Sequence, residues 1–206
     1  IKLVIDNYPE GRLNIWMHRI ILRMKNLEAV SFHLEESFIL REKTFMEGAS
    51  EEIFPLFPGN EVRLMNAYFV TCTGFEKDED GNVTAVHCTY DPETKSGSGF
   101  TGRKVKGTIH WVEASTALPA TVRLYENLID EEKGVYNKED GSLNLNPNSL
   151  TEKEIFVESN FADAKAYESF QFVRQGYFCA DARDSKEGAP VFNRIVSLKS
   201  SYKPKK

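Results

Sequence analysis

EVRLMNAYFVTCTGFEKDEDGNVTAVHCTY, residues 61–90, is the stretch whose reading decides the fold. Two β-prone runs, EVRLMNAYFVTCTGF and VTAVHCTY, flank the polar EKDEDGN, in which Asp80, Gly81 and Asn82 supply turn chemistry. Glycine tolerates positive φ, and Asp and Asn hydrogen-bond their own backbone, so the pattern predicts a β-hairpin.

Working outward, the same short β-prone units recur. IKLVIDNYPEG reads as a strand ended by a turn, and DPETKSGSGFTG as an exposed loop. In KVKGTIHWV, strict alternation puts Val105, Ile109 and Trp111 on one face and Lys104, Lys106, Thr108 and His110 on the other. His110 and Trp111 are therefore not a joint stacking pair, and Trp111 is a core residue. ATVRLYENLI alternates imperfectly and DEEKGVYNKEDG is a loop. Arg123, within the former run, is expected to pair with an acid. NPNSLTEKEIF predicts a turn leading into a short helical turn, and FADAKAYESF one more. QFVRQGYFCAD returns to strand with Gly176 as a bulge, and EGAPVFNRIVSLKS gives a turn and a last strand. One segment disagrees: RLNIWMHRIILRMKNLEAV predicts an amphipathic helix with Trp16, Ile20, Met24 and Leu27 on one stripe. Many short strands between turns favour an all-β barrel or pair of barrels.

The chain has 206 residues, enough for one substantial core or two small ones, with 41% hydrophobic and 28% charged residues, the balance of a folded domain. No run of 18 apolar residues spans a bilayer and no signal-peptide pattern opens the sequence, so no membrane role is expected. Cys72, Cys88 and Cys179 are odd in number and far apart, forming neither a CxxC pair nor a disulfide framework, which fits a cytoplasmic protein. His18, His33, His87 and His110 are scattered, so no metal-ligand spacing arises. The net charge of −5 argues against indiscriminate binding to phosphate, yet it is uneven. Residues 126–158 carry nine acids against three lysines, whereas SLKSSYKPKK carries four lysines and no acid.

Several blocks, taken in order, resemble the C-terminal anticodon-binding region of the glutaminyl-tRNA synthetases, class I enzymes. They are KLVIDNY at 2–8, LFPGNEVRLMNAYFVT at 56–71, CTYDPET at 88–94, GRKVKGTIHWVEA at 102–114 followed by ALPATVRLYENL, FQFVRQGYFCAD at 170–181 and PVFNRIVSL at 190–198. The resemblance implies an all-β fold of two small β-barrels with few short helical turns. Residues 1–113 with 183–206 would form the first barrel and 114–182 the second. It also implies a function of molecular recognition: the unpaired anticodon of glutamine tRNA is splayed across a restricted surface, where its base edges are accessible.

Residue by residue, Gln171 and Arg174 match the family's readers of the middle anticodon base, a uridine. An amide offers donor and acceptor, and a guanidinium offers a rigid donor fork. Their i, i+3 spacing requires a bend. Arg63 matches a reader of the first base, but Met65 stands where a second arginine is expected; its soft side chain could stack on a base. Pro55 replaces the arginine usual for the third base. Lys104 and Lys106 are candidates for the RNA backbone, beside the alternative of a solvated face.

No catalytic residue and no metal site is expected in this segment, because the HIGH-like and KMSKS-like motifs of a class I body are absent. The resemblance assigns ATP and Mg2+ to an N-terminal catalytic body of the same polypeptide, acting as a monomer. Two other readings share the pattern: the anticodon-binding region of an archaeal- or eukaryotic-type glutamate-tRNA ligase, and a stand-alone RNA-binding or synthetase-interacting adaptor.

Overall fold

The computed structural model describes residues 1–9, 14–18, 21–23, 30–34, 37–39, 45–46 and 56–198. The chain divides into two compact units, one of Ile1–His18 with Val30–Ala117, the other of Arg19–Ala29 with Leu118–Lys206. Regular structure among the described residues is β-strand, interrupted by 3-10 turns at Pro92–Thr94 and Ser159–Asp163. No helix among them is long and apolar enough to cross a membrane.

The first unit holds β1 (Lys2–Ile5), β2 (Asn14–His18), β4 (Val30–Leu34), β5 (Ser37–Ile39), β6 (Glu61–Leu64), β7 (Phe69–Lys77), β8 (Val83–Asp91), β9 (Gly107–Ile109) and β10 (Val112–Glu113). β3 (Ile21–Arg23) belongs to the second unit. The predicted hairpin is β7–β8, paired from Phe69 opposite Asp91 to Lys77 opposite Val83, with the register shifting between Cys72 and Gly74 and between Glu76 and Lys77. Its turn closes on Asp78, whose Oδ1 accepts the backbone N–H of Asp80 at 3.0 Å and of Asn82 at 2.8 Å. A seven-stranded sheet grows around this hairpin in the order β10-β5-β1-β8-β7-β6-β9, while β2 and β4 pair separately. Only His110 and Trp111 separate β9 from β10, the two edge strands of this sheet.

Leu3, Val62, Val70 and Val86 are fully buried inside it, each contributing about 1.5–3 kcal/mol of apolar burial. Trp111 is also buried, and its indole N–H donates to the Met65 carbonyl at 3.0 Å. On the surface, His87 bridges Asp6 at 2.8 Å and Glu76 at 3.1 Å, linking β1, β7 and β8. Its hydrogen bonds to those carboxylates, Asp6 first, raise the pKa above the usual imidazole value.

The second unit is a six-stranded sheet ordered β12-β11-β15-β14-β13-β3, built from β11 (Leu118–Tyr125), β12 (Leu150–Val157), β13 (Ser169–Phe172), β14 (Gly176–Ala180) and β15 (Val191–Ser197) with β3. Its core is aromatic. The ring of Phe161, from the second 3-10 turn, meets Phe170 at 4.9 Å, Phe192 at 5.5 Å and Phe172 at 5.7 Å, all edge to face. Such pairs add about 0.5–1.5 kcal/mol each beyond area burial.

Four expectations are corrected. The segment expected as a helix from residue 12 onward contains β2, β3 and the start of β4 instead. β2 finds a partner in β4 and β3 one in β13, and tertiary pairing overrides helix propensity. Of its proposed stripe, Trp16 lies in β2, and Ile20, Met24 and Leu27 lie outside the described residues. TEKEIF continues as β12 rather than a helical turn, because all eight residues of Leu150–Val157 pair with β11. Its charges are tolerated because β12 is an edge strand. The loop at 91–102 is pinned in part: Thr94 is fully buried, accepting the Phe69 backbone N–H at 2.8 Å and donating to the Asp91 carbonyl at 2.7 Å.

The fourth correction concerns the unit boundary. β15 pairs in parallel with β11 and antiparallel with β14, so the returning chain completes the second unit and not the first. Cys72 and Cys88, distant in sequence, prove to be register partners on β7 and β8, both buried as free thiols.

Candidate nucleic-acid interface

Gln171 and Arg174 are brought together by one hairpin, β13–β14. Gln171 lies on the half-exposed face of β13, between the buried Phe170 and Phe172, and its amide makes no hydrogen bond among the described residues. Directly across on β14 stands Tyr177. The bend demanded by the i, i+3 spacing is the turn that follows, closed by the Gln175 N–H donating to the Phe172 carbonyl at 2.8 Å.

Arg174 is the third residue of that turn, exposed, with φ 63°. Glycine or asparagine ordinarily fills this left-handed position, where a side chain costs about 1 kcal/mol or more. The fold holds an arginine in a conformation that disfavours it, which is typical of positions where the side chain has work elsewhere. We expect Arg174→Gly to be more stable than Arg174→Ala by about 1 kcal/mol, because both lose the guanidinium but only alanine keeps the left-handed cost. Urea midpoints of the two variants measure this, and equal midpoints would remove the strain argument.

Arg63 occupies a different setting, in the first unit. Its guanidinium lies 4.3 Å from the centroid of the Phe69 ring, and Nη1 donates to Ser96 Oγ at 2.8 Å and to the Thr94 carbonyl at 3.5 Å. Burial lowers its pKa from the usual arginine value. These contacts tie β6 to the loop at 92–96 and limit the donors that a base could use. Met65 is buried, donating its backbone N–H to the Ile109 carbonyl at 2.8 Å, so its side chain is core and not a stacking surface. Pro55 lies outside the described residues.

Lys104 and Lys106 precede β9, which begins only at Gly107, and both are exposed. From Gly107 to Trp111 the predicted alternation holds, with Gly107, Ile109 and Trp111 buried and Thr108 and His110 half-exposed. Arg103, beside the lysines, is committed to the fold: Nε reaches Glu61 at 2.8 Å and Nη2 reaches Asp91 at 2.7 Å, joining β6 to the end of β8. These two carboxylates push its pKa still higher.

Arg123 pairs with acids as expected, with Glu152 at 2.7 Å, Asp184 at 2.6 Å and Asp181 at 3.5 Å. A hydrogen bond from Asn193, then backbone N–H groups of Asp184 and Arg183, hold Asp181 at about 2. Reasoning from sequence missed the position of Tyr177 opposite Gln171. The signal was present: in a hairpin with three turn residues, positions six apart across the turn share a face.

Of the candidates, then, Gln171 and Arg174 share one hairpin, whereas Arg63 lies in the first unit against Phe69 and Ser96. A half-exposed amide opposite an aromatic residue, with an exposed arginine in the adjoining turn, suits unpaired bases better than duplex backbone. Comparison with known proteins agrees in kind. Two family profiles, both described as tRNA synthetases class I (E and Q), anti-codon binding domain, match residues 1–91 and 108–181. A glutamine-tRNA ligase of Clostridium perfringens is 51% identical over the whole chain, which covers 37% of that protein. Those of Clostridium kluyveri and Cupriavidus necator are 46% and 44% identical over 98% of the chain, covering 37% and 35% of their lengths. The chain thus spans a little over a third of these relatives. It belongs to the anticodon-binding domains of the class I tRNA synthetases of the E and Q type, in the form carried by glutamine-tRNA ligases.

Proposed function

We propose that this chain reads the unpaired anticodon of glutamine tRNA, chiefly through its middle uridine, for a ligase that joins glutamine to that tRNA. Gln171 pairs with the edge of the uridine and Arg174 supplies donors from the turn beside it. The carrying observation is the β13–β14 hairpin, which offers a half-exposed amide and a strained arginine on one element. A base lacking the uridine pattern leaves these groups desolvated and unpaired, which costs about 1–3 kcal/mol per group. Lys104 and Lys106 supply salt-sensitive attraction to the RNA backbone. Arg63, already engaged with Ser96 and Phe69, orders its surroundings and contributes its remaining donors at the first base. In this reading the chain works in the cytoplasm as part of a monomeric enzyme. Chemistry with ATP and Mg2+ belongs to the catalytic body, and this portion positions the tRNA for it.

The test is equilibrium binding of the chain to the glutamine anticodon stem-loop and to one with its middle uridine replaced, at matched ionic strength. A preference of about tenfold or more for uridine, lost in Gln171→Ala/Arg174→Ala, is the expected result. Tight but equal binding of both loops would assign the chain to backbone contact alone and overturn the Gln171/Arg174 reading.

A further inference from the structure

Tyr177 stands directly opposite Gln171 in the β13–β14 pairing, and Val196 of β15 stands directly opposite Tyr177 on its other side. Opposed residues on neighbouring strands point to one face, with Cβ atoms about 5 Å apart. The three side chains therefore form a row across the second unit's sheet. The opposite face of these strands is the aromatic core, where Phe170, Phe172 and Phe178 are buried. The row itself faces outward: Tyr177 is half-exposed and Val196 is 51% exposed, and the pairing with β15 shifts register just past them, between Tyr177 and Phe178. A tyrosine ring flanked by Val196 on one side and a carboxamide on the other is a flat apolar bed with a polar edge.

We infer that Tyr177 is the stacking platform for the anticodon base whose edge Gln171 reads. This rests on the reading of Gln171 proposed above and adds a specificity-supporting residue to it. A base laid on the tyrosine ring keeps its polar edge in its own plane, and the neighbouring amide is one strand spacing away. Stacking supplies affinity that every base shares, and Gln171 supplies the choice among bases. The two residues thus make separable contributions, because a π-face is common to all four bases while the pattern of donors and acceptors is not. Register also fixes the pair. Slipping β13 against β14 by one residue would send Tyr177 to the core side, so the turn at Val173–Gln175 sets the platform as well as the arginine.

The experiment compares three stem-loops against the chain: middle uridine, middle cytidine, and an abasic middle position. Wild-type protein, Tyr177→Ala, Tyr177→Phe and Gln171→Ala are each measured, with thermal midpoints alongside. Expected is a loss of roughly 5- to 100-fold for Tyr177→Ala on both loops that carry a base, and little change on the abasic loop. Tyr177→Phe retains the wild-type pattern, while Gln171→Ala narrows the gap between uridine and cytidine. Equal weakening on all three loops would make Tyr177 a packing residue and overturn the inference, as would unchanged affinity. If uridine and cytidine bind alike but both exceed the abasic loop in a Tyr177-dependent way, the platform stands and the Gln171 reading falls.

Discussion

Gly176→Ala is expected to destabilise the second unit by about 2–6 kcal/mol and to remove its affinity for the anticodon loop together with its fold. Gly176 opens β14 with φ 150°, and a Cβ built on it comes within 2.5 Å of the Val196 carbonyl oxygen and 3.3 Å of the Ser197 Cα. Both obstacles are backbone of β15, so no side chain can swing aside. The left-handed backbone costs roughly 1–3 kcal/mol for any L side chain. Forcing the strand away adds about 1–3 kcal/mol more and breaks ladder hydrogen bonds at the foot of the hairpin. For a unit of this size the thermal midpoint should fall by more than about 10 °C. Gly141→Ala is the control, since Gly141 has φ 70° with nothing within 4 Å of its Cβ position. It should cost only the backbone share, about 1 kcal/mol. Equal losses at the two glycines would show that the close approach of β14 and β15 does not matter.

That close approach explains why Gly176 was legible in the sequence and its consequence was not. A glycine amid QFVRQGYFCAD signals something unusual in a strand. Which backbone crowds it depends on β15, and the resemblance had implied that the returning chain, residues 183–206, belongs to the other unit. Local pairing was readable wherever turn and alternation agreed, as in β7–β8, where Asp78 and Asn82 close the turn and the registers follow. It failed where partners are distant. NIWMHRIILR offers apolar residues compatible with a helical stripe, and only the availability of β4 and β13 makes its described parts strands. Likewise TEKEIF looks helical because charges alternate poorly with a core, yet Arg123 and Thr121 on β11 bind Glu152 and Glu154 across the ladder.

The candidate site divides in the same way. Gln171 and Arg174 were identified by resemblance of motif, and the need for a bend between them followed from spacing alone. The commitment of Arg63 to Phe69 and Ser96, and of Arg103 to Glu61 and Asp91, was invisible because each involves residues 6 to 42 positions away. Charge in a sequence shows what could face RNA. Only packing shows which charges the fold has already used.

Two glutamates test that distinction inside the core. Glu113 is buried but satisfied: its carboxylate accepts the backbone N–H of Ser115 at 2.7 Å and of Thr116 at 2.8 Å, and the Thr116 hydroxyl as well. Glu158 is 4% exposed, and neither carboxylate oxygen has a hydrogen-bond partner among the described residues. It ends the run of β12 just before the turn that carries Phe161 into the aromatic core. Burial raises its pKa from 4.5 to about 7. The folded state therefore keeps a proton that the unfolded state has released, and stability falls as pH rises from the unfolded value through the folded one. Above about pH 7 both states are ionised and the full cost remains, on the order of 3 kcal/mol. Glu158→Gln cannot titrate, so the variant should equal or trail wild type near pH 4.5 and gain on it steadily to pH 8, by about 3 kcal/mol in total. Urea unfolding of both proteins at four or five pH values measures the difference directly, free of the other carboxylates, which are common to both. A difference that does not change with pH would mean that the Glu158 carboxyl is solvated or paired after all.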